Sequence, residues 1–356
     1  RVDVQRPCDV VEDILRIYGY NNVEIPTSLK SSLTTKNACD VSQRLQNLVS
    51  EQLIGEGFNE ILNNSLTREA YYSALKTHAP EHLVHLLNPL SSDLNVMRQT
   101  LLFGGLESIA HNVNRKEGNL RFFEFGNCYV YDAEKRNAEK VLAPYSEELH
   151  LGLWLTGKRV MDSWAHANED SSIYELKGYA MNVLSRLGVP LGGLLIKEGT
   201  NDIFSKSLSV EDRNGKVCLE LGLVSKALLV ACDVEQEVYY ADFNWSVLMK
   251  KLPKKEVSYS ELSKFPAVRR DLALLLDVSV PFAEVERVAR ACEKKLLRKV
   301  ELFDVYEGDR LPEGKKSYAV AFTLSDETKT MNDKQTEAIM SKIIKQLQQQ
   351  LGAELR

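Results

Sequence analysis

The sequence predicts an α+β protein of more than one domain, and three observations carry that reading. A chain of 356 residues exceeds what one ordinary core organises. Apolar residues recur at helical spacing in some segments and alternate in others, so helices and strands are mixed along the chain. The final stretch, Tyr259 to Arg356, reads strand, helix, strand, strand, helix, strand. Such a split βαβ order commonly leaves one sheet face open, and RNA-binding modules use that kind of face with aromatic and basic side chains.

The elements follow in order. The opening Arg1-Val2-Asp3-Val4-Gln5-Arg6 is strand-like and polar, unlike a signal peptide, and without a Met it reads as part of something longer. A helix is expected from about Asp9 to Tyr18, closed by Gly19. Thr27 to Lys36 is a Ser/Thr-rich connector, so residues 1–36 form a first small segment. The second domain, residues 37–249, opens with Val41, Leu45, Leu48, Val49 and Leu53 at helical spacing. Strands are expected at Asn59–Leu66, Leu120–Tyr131 with a glycine interruption at Gly126, Leu149–Thr156, Leu219–Val224 and Glu237–Asn244. Met97 to Leu102 leads into a helix through about Asn112, and a further helix opens near Ile173 and runs to about Leu187. Residues 250–257, with Lys250-Lys251-Leu252-Pro253-Lys254-Lys255, form a basic linker to a third domain, residues 258–356. There the strands are Arg270–Leu276, Val300–Tyr306, Ser317–Ser325 and a short one at Ala353–Leu355, with helices Phe282–Lys295 and Thr336–Leu351.

Charge and cysteine usage narrow the function. The net charge of −5 argues against indiscriminate nucleic-acid binding. From Ser258 onward 17 Lys and Arg stand against 16 Asp and Glu, whereas the remainder holds 28 against 34. Any RNA contact must therefore use a local patch. The six cysteines form no C-x-x-C pair, which excludes a zinc ribbon or a dithiol redox motif and fits a reducing cytoplasm. No run approaches the length of a membrane helix. Phosphate loops, dinucleotide fingerprints and nucleophile elbows are absent.

Two constellations are candidates for chemistry. Asp3, Asp9, Glu12 and Asp13 cluster at the first helix, the last three on one face at i, i+3 and i+4. Hard oxygen ligands at this spacing suit Mg²⁺. The same spacing suits an N-terminal capping box that complements the helix dipole. Arg269, Arg270, Lys315, Lys316 and Arg356 offer phosphate contacts from the last domain, or else a solvated basic rim. Phe265 and Phe303 read as core. His78, His82 and His85 have ligand-like spacing, but Pro80 interrupts the run and no further ligand is nearby.

Taken together and in order, the motifs resemble the β subunit of bacterial phenylalanyl-tRNA synthetase over essentially the whole chain. The opening C-D-V-V-E-D-I-L-R-I-Y-G-Y-N-N-V resembles the end of that subunit's small helical domain. S-L-T-R-E, L-N-P-L-S, M-R-Q-T-L-L-F-G-G-L, R-F-F-E-F-G and Y-E-L-K-G resemble its class II synthetase-like domain. K-F-P-A-V-R-R-D-L-A, F-D-V-Y, the G-K-K-S tip and the terminal L-R resemble its ferredoxin-like anticodon-binding domain. The resemblance implies an antiparallel-sheet, catalytically inactive synthetase-like domain followed by a βαββαβ module. It also implies Mg²⁺ ligation by Asp3, Asp9, Glu12 and Asp13, with Asp13 where the family commonly has Glu. The family's larger N-terminal part, with its editing module, has no counterpart here. Leu221 to Lys226 lacks the family's common Leu-His-Pro.

The family's catalytic relatives hold the ATP α-phosphate with an arginine in an F-R-x-E strand. The matching strand here ends Val130-Tyr131-Asp132-Ala133-Glu134, so Asp132 stands in its place. A carboxylate repels a triphosphate that a guanidinium would clamp. The resemblance thus implies that adenylation and transfer, with ATP, belong to an α subunit in a cytoplasmic (αβ)₂ assembly. This chain would support that subunit and bind phenylalanine tRNA, with no membrane or DNA role. A free-standing RNA-binding or regulatory paralogue, and a self-sufficient ligase, are the competing expectations.

Overall fold

The computed structural model describes residues 2–28, 31, 38–212, 214–252, 259, 261–308 and 310–356. The chain divides into two compact units, Arg1–Lys254 and Lys255–Arg356. Most of the connector 27–36 and of the linker 250–257 lies outside the described residues. Among those that are described, no helix is long and apolar enough to cross a membrane.

The first unit begins with α1 (Pro7–Tyr18), whose residues are all unburied. Ahead of it residues 2–6 form a turn rather than the expected strand. The reason is local: the backbone N–H groups of Gln5 and Arg6 donate to Asp9 Oδ2 at 2.9 and 2.8 Å, so they serve the helix cap instead of a ladder. Next come α2 (Ala38–Gly55), β1 (Asn59–Glu60), β2 (Leu66–Thr67), β3 (Val84–His85), β4 (Val96–Met97), α3 (Leu102–Val113), β5 (Leu120–Tyr131) and β6 (Tyr145–Thr156). α4 (Ile173–Arg186), β7 (Leu195–Glu198), β8 (Phe204–Glu211), β9 (Val217–Val224), α5 (Lys226–Ala231), β10 (Val238–Asn244) and α6 (Trp245–Met249) complete it.

Seven strands make one sheet in the order β1-β5-β6-β10-β9-β8-β7, antiparallel except where β1 runs parallel to β5. Period-two alternation builds a core on each face. Phe122, Trp154 and Tyr240 join α3's Phe103, Leu106 and Ile109 on one side. Phe123, Leu153 and Phe243 join α2's Val49 and Leu53 and α4's Leu176, Ala180 and Val183 on the other. The single strand expected at Asn59–Leu66 is split into β1 and β2. Side chains outcompete the ladder there: Asn63 N–H and Nδ2 donate to Glu124, and Asn64 Oδ1 accepts from Leu66 N–H at 2.9 Å. Met97 lies in β4, and the segment from it to Leu102 leads into α3 as the sequence reading has it. β5 runs through Gly126 without interruption. The guanidinium of Arg98 lies against that glycine where any Cβ would collide with it.

The second unit is β11 (Val268–Asp277), α7 (Phe282–Cys292), β12 (Leu297–Tyr306), β13 (Lys315–Leu324), α8 (Asp333–Leu351) and β14 (Glu354–Leu355). Its sheet is wholly antiparallel in the order β12-β13-β11-β14. Leu274, Leu276, Tyr318, Val320, Phe322 and Leu324 pack with α7 and α8 in one core. α8 is capped by Asn332, which accepts from Gln335 N–H at 2.8 Å, and ends at Gly352 in the left-handed conformation (φ 62). This is the βαββαβ module read from the sequence, with both helices on one face and the other face bare of helices.

Candidate nucleic-acid interface

The bare face of the second unit is the candidate site. On central β13 the residues opposite the helices are Lys315, Ser317, Ala319, Ala321 and Thr323, so the middle of the face is shallow. On β11, Arg269, Asp271, Ala273 and Leu275 share that face, because Leu274 and Leu276 are buried on the other. A bulge between Leu302 and Asp304 leaves Phe303 of β12 outside the ladder and 54% exposed. Phe303 is therefore not core, contrary to the sequence reading. The register sets Tyr306 beside Ser317 at the other end of the same strand pair.

Two arginines reach across the small central residues to these rings. The Arg269 guanidinium lies 5.3 Å from the Phe303 centroid, and that of Arg356 lies 5.8 Å from the Tyr306 centroid. Both separations fit cation–π stacking. Arg356 is held in place by its N–H donating to Ala273 O at 3.0 Å. Arg269 Nε donates to Asp271 at 2.9 Å, and that bond raises its already high pKa. Chemically, the face offers planar π surfaces for stacking and fixed cations for phosphate.

The five expected basic residues divide between the two ends and the two faces of the sheet. β11 and β13 are antiparallel, with Val268 opposite Leu324 and Asp277 opposite Lys315, so Arg269 and Lys315 lie at opposite ends of the sheet. Strand alternation then divides each neighbouring pair. Arg270 turns to the helix side and meets Asp333 at 3.3 Å. Lys316 points the same way, is only 6% exposed, donates to Val278 O at 2.7 Å and lies 4.7 Å from the Tyr318 ring. Its ammonium is engaged inside the fold and is not available to a phosphate. The alternation Lys316, Tyr318, Val320, Phe322, Leu324 already carried that signal in the sequence.

The acidic cluster at α1 is organised as a cap. Asp9 occupies the third helical position and accepts the Gln5 and Arg6 backbone donors, which hold its pKa below the usual carboxylate value. Glu12 and Asp13 follow on the same helix and Asp3 lies in the preceding turn. Among the described residues no three His, Cys, Asp or Glu side chains are grouped to hold a metal ion. The four acids as they stand do not close an ion-binding shell. The histidines are also dispersed: His78 is half-buried, and desolvation lowers its pKa, while His82 Nδ1 contacts Tyr131 O at 3.0 Å and His85 sits in β3.

On the large sheet, Asp132 lies just past β5. Its carboxylate accepts from Glu134 N–H and pairs with Lys135 at 2.9 Å, which lowers its pKa. Charged groups on the adjoining face pair with one another, while the Trp154 Nε1 and Tyr240 hydroxyl on the same face are buried without a hydrogen-bond partner. Arg98 and Glu124 form a buried ion pair at 2.7 Å, and Arg98 Nε donates to Asn127 O at 2.9 Å. His150 Nδ1 lies 2.9 Å from Asp242, and Asn244 Nδ2 donates to Glu148 at 2.7 Å. Burial opposes a charge on His150, but Asp242 and Glu148 overcome it and raise the imidazole to about 10. The imidazolium in turn draws the Glu148 carboxyl down to about 2. Neither ion pair was read from the sequence, since its members are far apart along the chain.

The geometry defines a two-unit α+β protein whose second unit presents a stacking-and-cation sheet face. The chain belongs to the phenylalanyl-tRNA synthetase beta chain family: the family model described as the CLM domain of that beta chain matches residues 25–245. A second model, described as a ferredoxin-fold anticodon binding domain, matches residues 263–356. The chain is similar to the phenylalanine–tRNA ligase beta subunit of Bacteroides fragilis, with 64% identity over 356 residues, all of this chain and 43% of that protein. The corresponding subunit of Porphyromonas gingivalis is 52% identical over all of this chain and 44% of its own length. This chain thus spans less than half the length of these relatives. Among solved structures it is similar to the pyrrolysyl-tRNA synthetase of Desulfitobacterium hafniense, with 13% identity, a TM-score of 0.43, and coverage of 60% of this chain and 74% of that one.

Proposed function

We propose that this chain is the non-catalytic, tRNA-holding part of a two-subunit phenylalanine–tRNA ligase. It supports an α subunit that binds ATP and performs the chemistry in the cytoplasm, and its second unit grips the anticodon end of phenylalanine tRNA. The observation that carries this reading is the open sheet face, where Arg269 stacks on Phe303 and Arg356 on Tyr306 above small residues of β13. Unpaired anticodon bases can be splayed onto such rings while the guanidinium groups meet the backbone phosphates. Arg270 and Lys316 play no direct part, because they are turned to the helix side. Asp132 in place of a phosphate-binding arginine, and the self-satisfied Arg98–Glu124 pair, support leaving catalysis to the α subunit. Mg²⁺ at Asp3, Asp9, Glu12 and Asp13 requires further ligands from outside this chain, because Asp9 is already occupied with its cap.

The test is equilibrium binding of phenylalanine tRNA across a salt series, with Phe303→Ala and Tyr306→Ala beside the parent. Each lost stack should weaken binding by about 1–3 kcal/mol. A tRNA lacking its anticodon loop should lose most of that difference. Equal binding by parent and both variants rejects this face as the interface.

A further inference from the structure

Strand register sorts the charges of the open face into bands. At one end Arg269 of β11, Thr323 of β13 and Lys299 of β12 stand side by side. The next row on the same face is Asp271, Ala321 and Glu301, and the row after it brings Asp304 beside Ala319 and Ala273. Cations return at the far end, with Lys315 and with Arg356 over Tyr306. The middle of the face is therefore acidic, with small side chains for its floor. Each carboxylate of the first acidic row also holds a cation of the row above. Asp271 accepts from Arg269 Nε at 2.9 Å, and Glu301 pairs with Lys299 Nζ at 2.6 Å. Burial does not force these pairs, since all four side chains are at least 41% exposed. Both carboxylates act on one guanidinium: Asp271 foremost, and Glu301 from across the sheet, raise the pKa of Arg269.

Two consequences follow for an RNA on this face. A phosphate entering the middle meets Asp271, Glu301 and Asp304 and is repelled, and like charge set against the wrong ligand is a source of specificity. A base is uncharged and meets no such barrier. It can lie on the Phe303 ring, beside the Arg269 guanidinium that Asp271 steadies. The banding also gives a place to the near balance of 17 basic and 16 acidic side chains from Ser258 onward. We infer that Asp271 and Glu301 are selectivity residues of the tRNA-binding face, which deny its middle to phosphate so that RNA is gripped where it offers unpaired bases. This rests on the function proposed above.

The experiment measures equilibrium binding at four salt concentrations by the whole chain, by Asp271→Asn, by Glu301→Gln and by the double variant. The two RNAs are phenylalanine tRNA and the same tRNA without its anticodon loop. Asn and Gln keep an oxygen acceptor for Arg269 and Lys299, so the charge goes while the shape stays. At about 6 Å in a medium like water, a carboxylate opposes one phosphate by roughly threefold in affinity. At low salt, affinity for the loop-less tRNA should therefore rise roughly threefold in each single variant and roughly tenfold in the double variant. Its salt slope should steepen by about 0.7–0.9 for each phosphate admitted. Affinity for the intact tRNA should rise less, so the preference for the loop falls. Unchanged affinity and slope of the double variant for the loop-less tRNA overturn the inference and leave the reading of the face intact. Equal gains for the two RNAs also overturn it, because the carboxylates would then weaken binding without selecting. Loss of affinity for the intact tRNA overturns it in favour of carboxylates that accept from a base edge. Failure of the parent to prefer the intact tRNA overturns the reading of this face and this inference with it.

Discussion

Lys315 and Lys316 are neighbours in sequence and should do unrelated work. Lys316 is 6% exposed, donates to Val278 O at 2.7 Å and lies 4.7 Å from the Tyr318 ring. Lys316→Met keeps the stem but strips Val278 O of that donor and removes the cation–π contact. Val278 is 49% exposed, so water reaches its carbonyl and the lost hydrogen bond costs about 1 kcal/mol; the lost ring contact adds up to about 2. For a unit of this size each kcal/mol lowers the melting temperature by roughly 4–8 °C, so a drop on the order of 10 °C is expected. Binding of tRNA below that melt should not change. Lys315→Ala and Arg269→Ala, on the open face, should leave the melt nearly intact. Each phosphate contact they remove should flatten the slope of log K against log salt by about 0.7–0.9. Thermal melting and tRNA binding at four salt concentrations decide the matter. A Lys316→Met protein that melts like the parent yet loses tRNA affinity and salt slope would refute the alternation argument.

Three further outcomes follow from the first unit. Arg98→Met leaves the buried Glu124 carboxylate without its 2.7 Å partner and should cost about 3–5 kcal/mol; a change below about 1 kcal/mol in urea unfolding would contradict the pair's role. His150 is raised from 6.5 to about 10 by Asp242 and Glu148 against the effect of burial. Its contribution is therefore fully present below pH 6.5 and fades as pH rises toward 10. His150→Gln should remove that decline, and parallel pH profiles of urea midpoint for variant and parent would count against it. The chain alone should give no phenylalanine-dependent ATP–pyrophosphate exchange, given Asp132 and the Arg98–Glu124 pair; exchange above a no-enzyme control would sink that expectation.

Much of this molecule was legible because it is encoded over short distances. The order of elements from Val268 to Leu355 follows from local periodicity, and so do the helix α4 behind Ser172 and the stop of α8 at Gly352. Local chemistry also accounts for two misreadings. Asp9 drew the Gln5 and Arg6 donors into a cap, and Asn63 and Asn64 broke a strand with side-chain bonds. Strands β7 and β8 were missed because Ser and Lys residues interrupt their apolar pattern. Which basic residues share a surface was half legible: alternation separates Lys315 from Lys316 once the register is known. The rest required the tertiary structure. Arg356 meets Tyr306, and Arg269 meets Phe303, only because the strands assemble as β12-β13-β11-β14. His150 and Asp242 are 92 residues apart, and Arg98 and Glu124 are 26. Local propensity acts within a turn or two of chain, whereas these contacts are set by strand register and burial, which exist only after the chain has closed on itself.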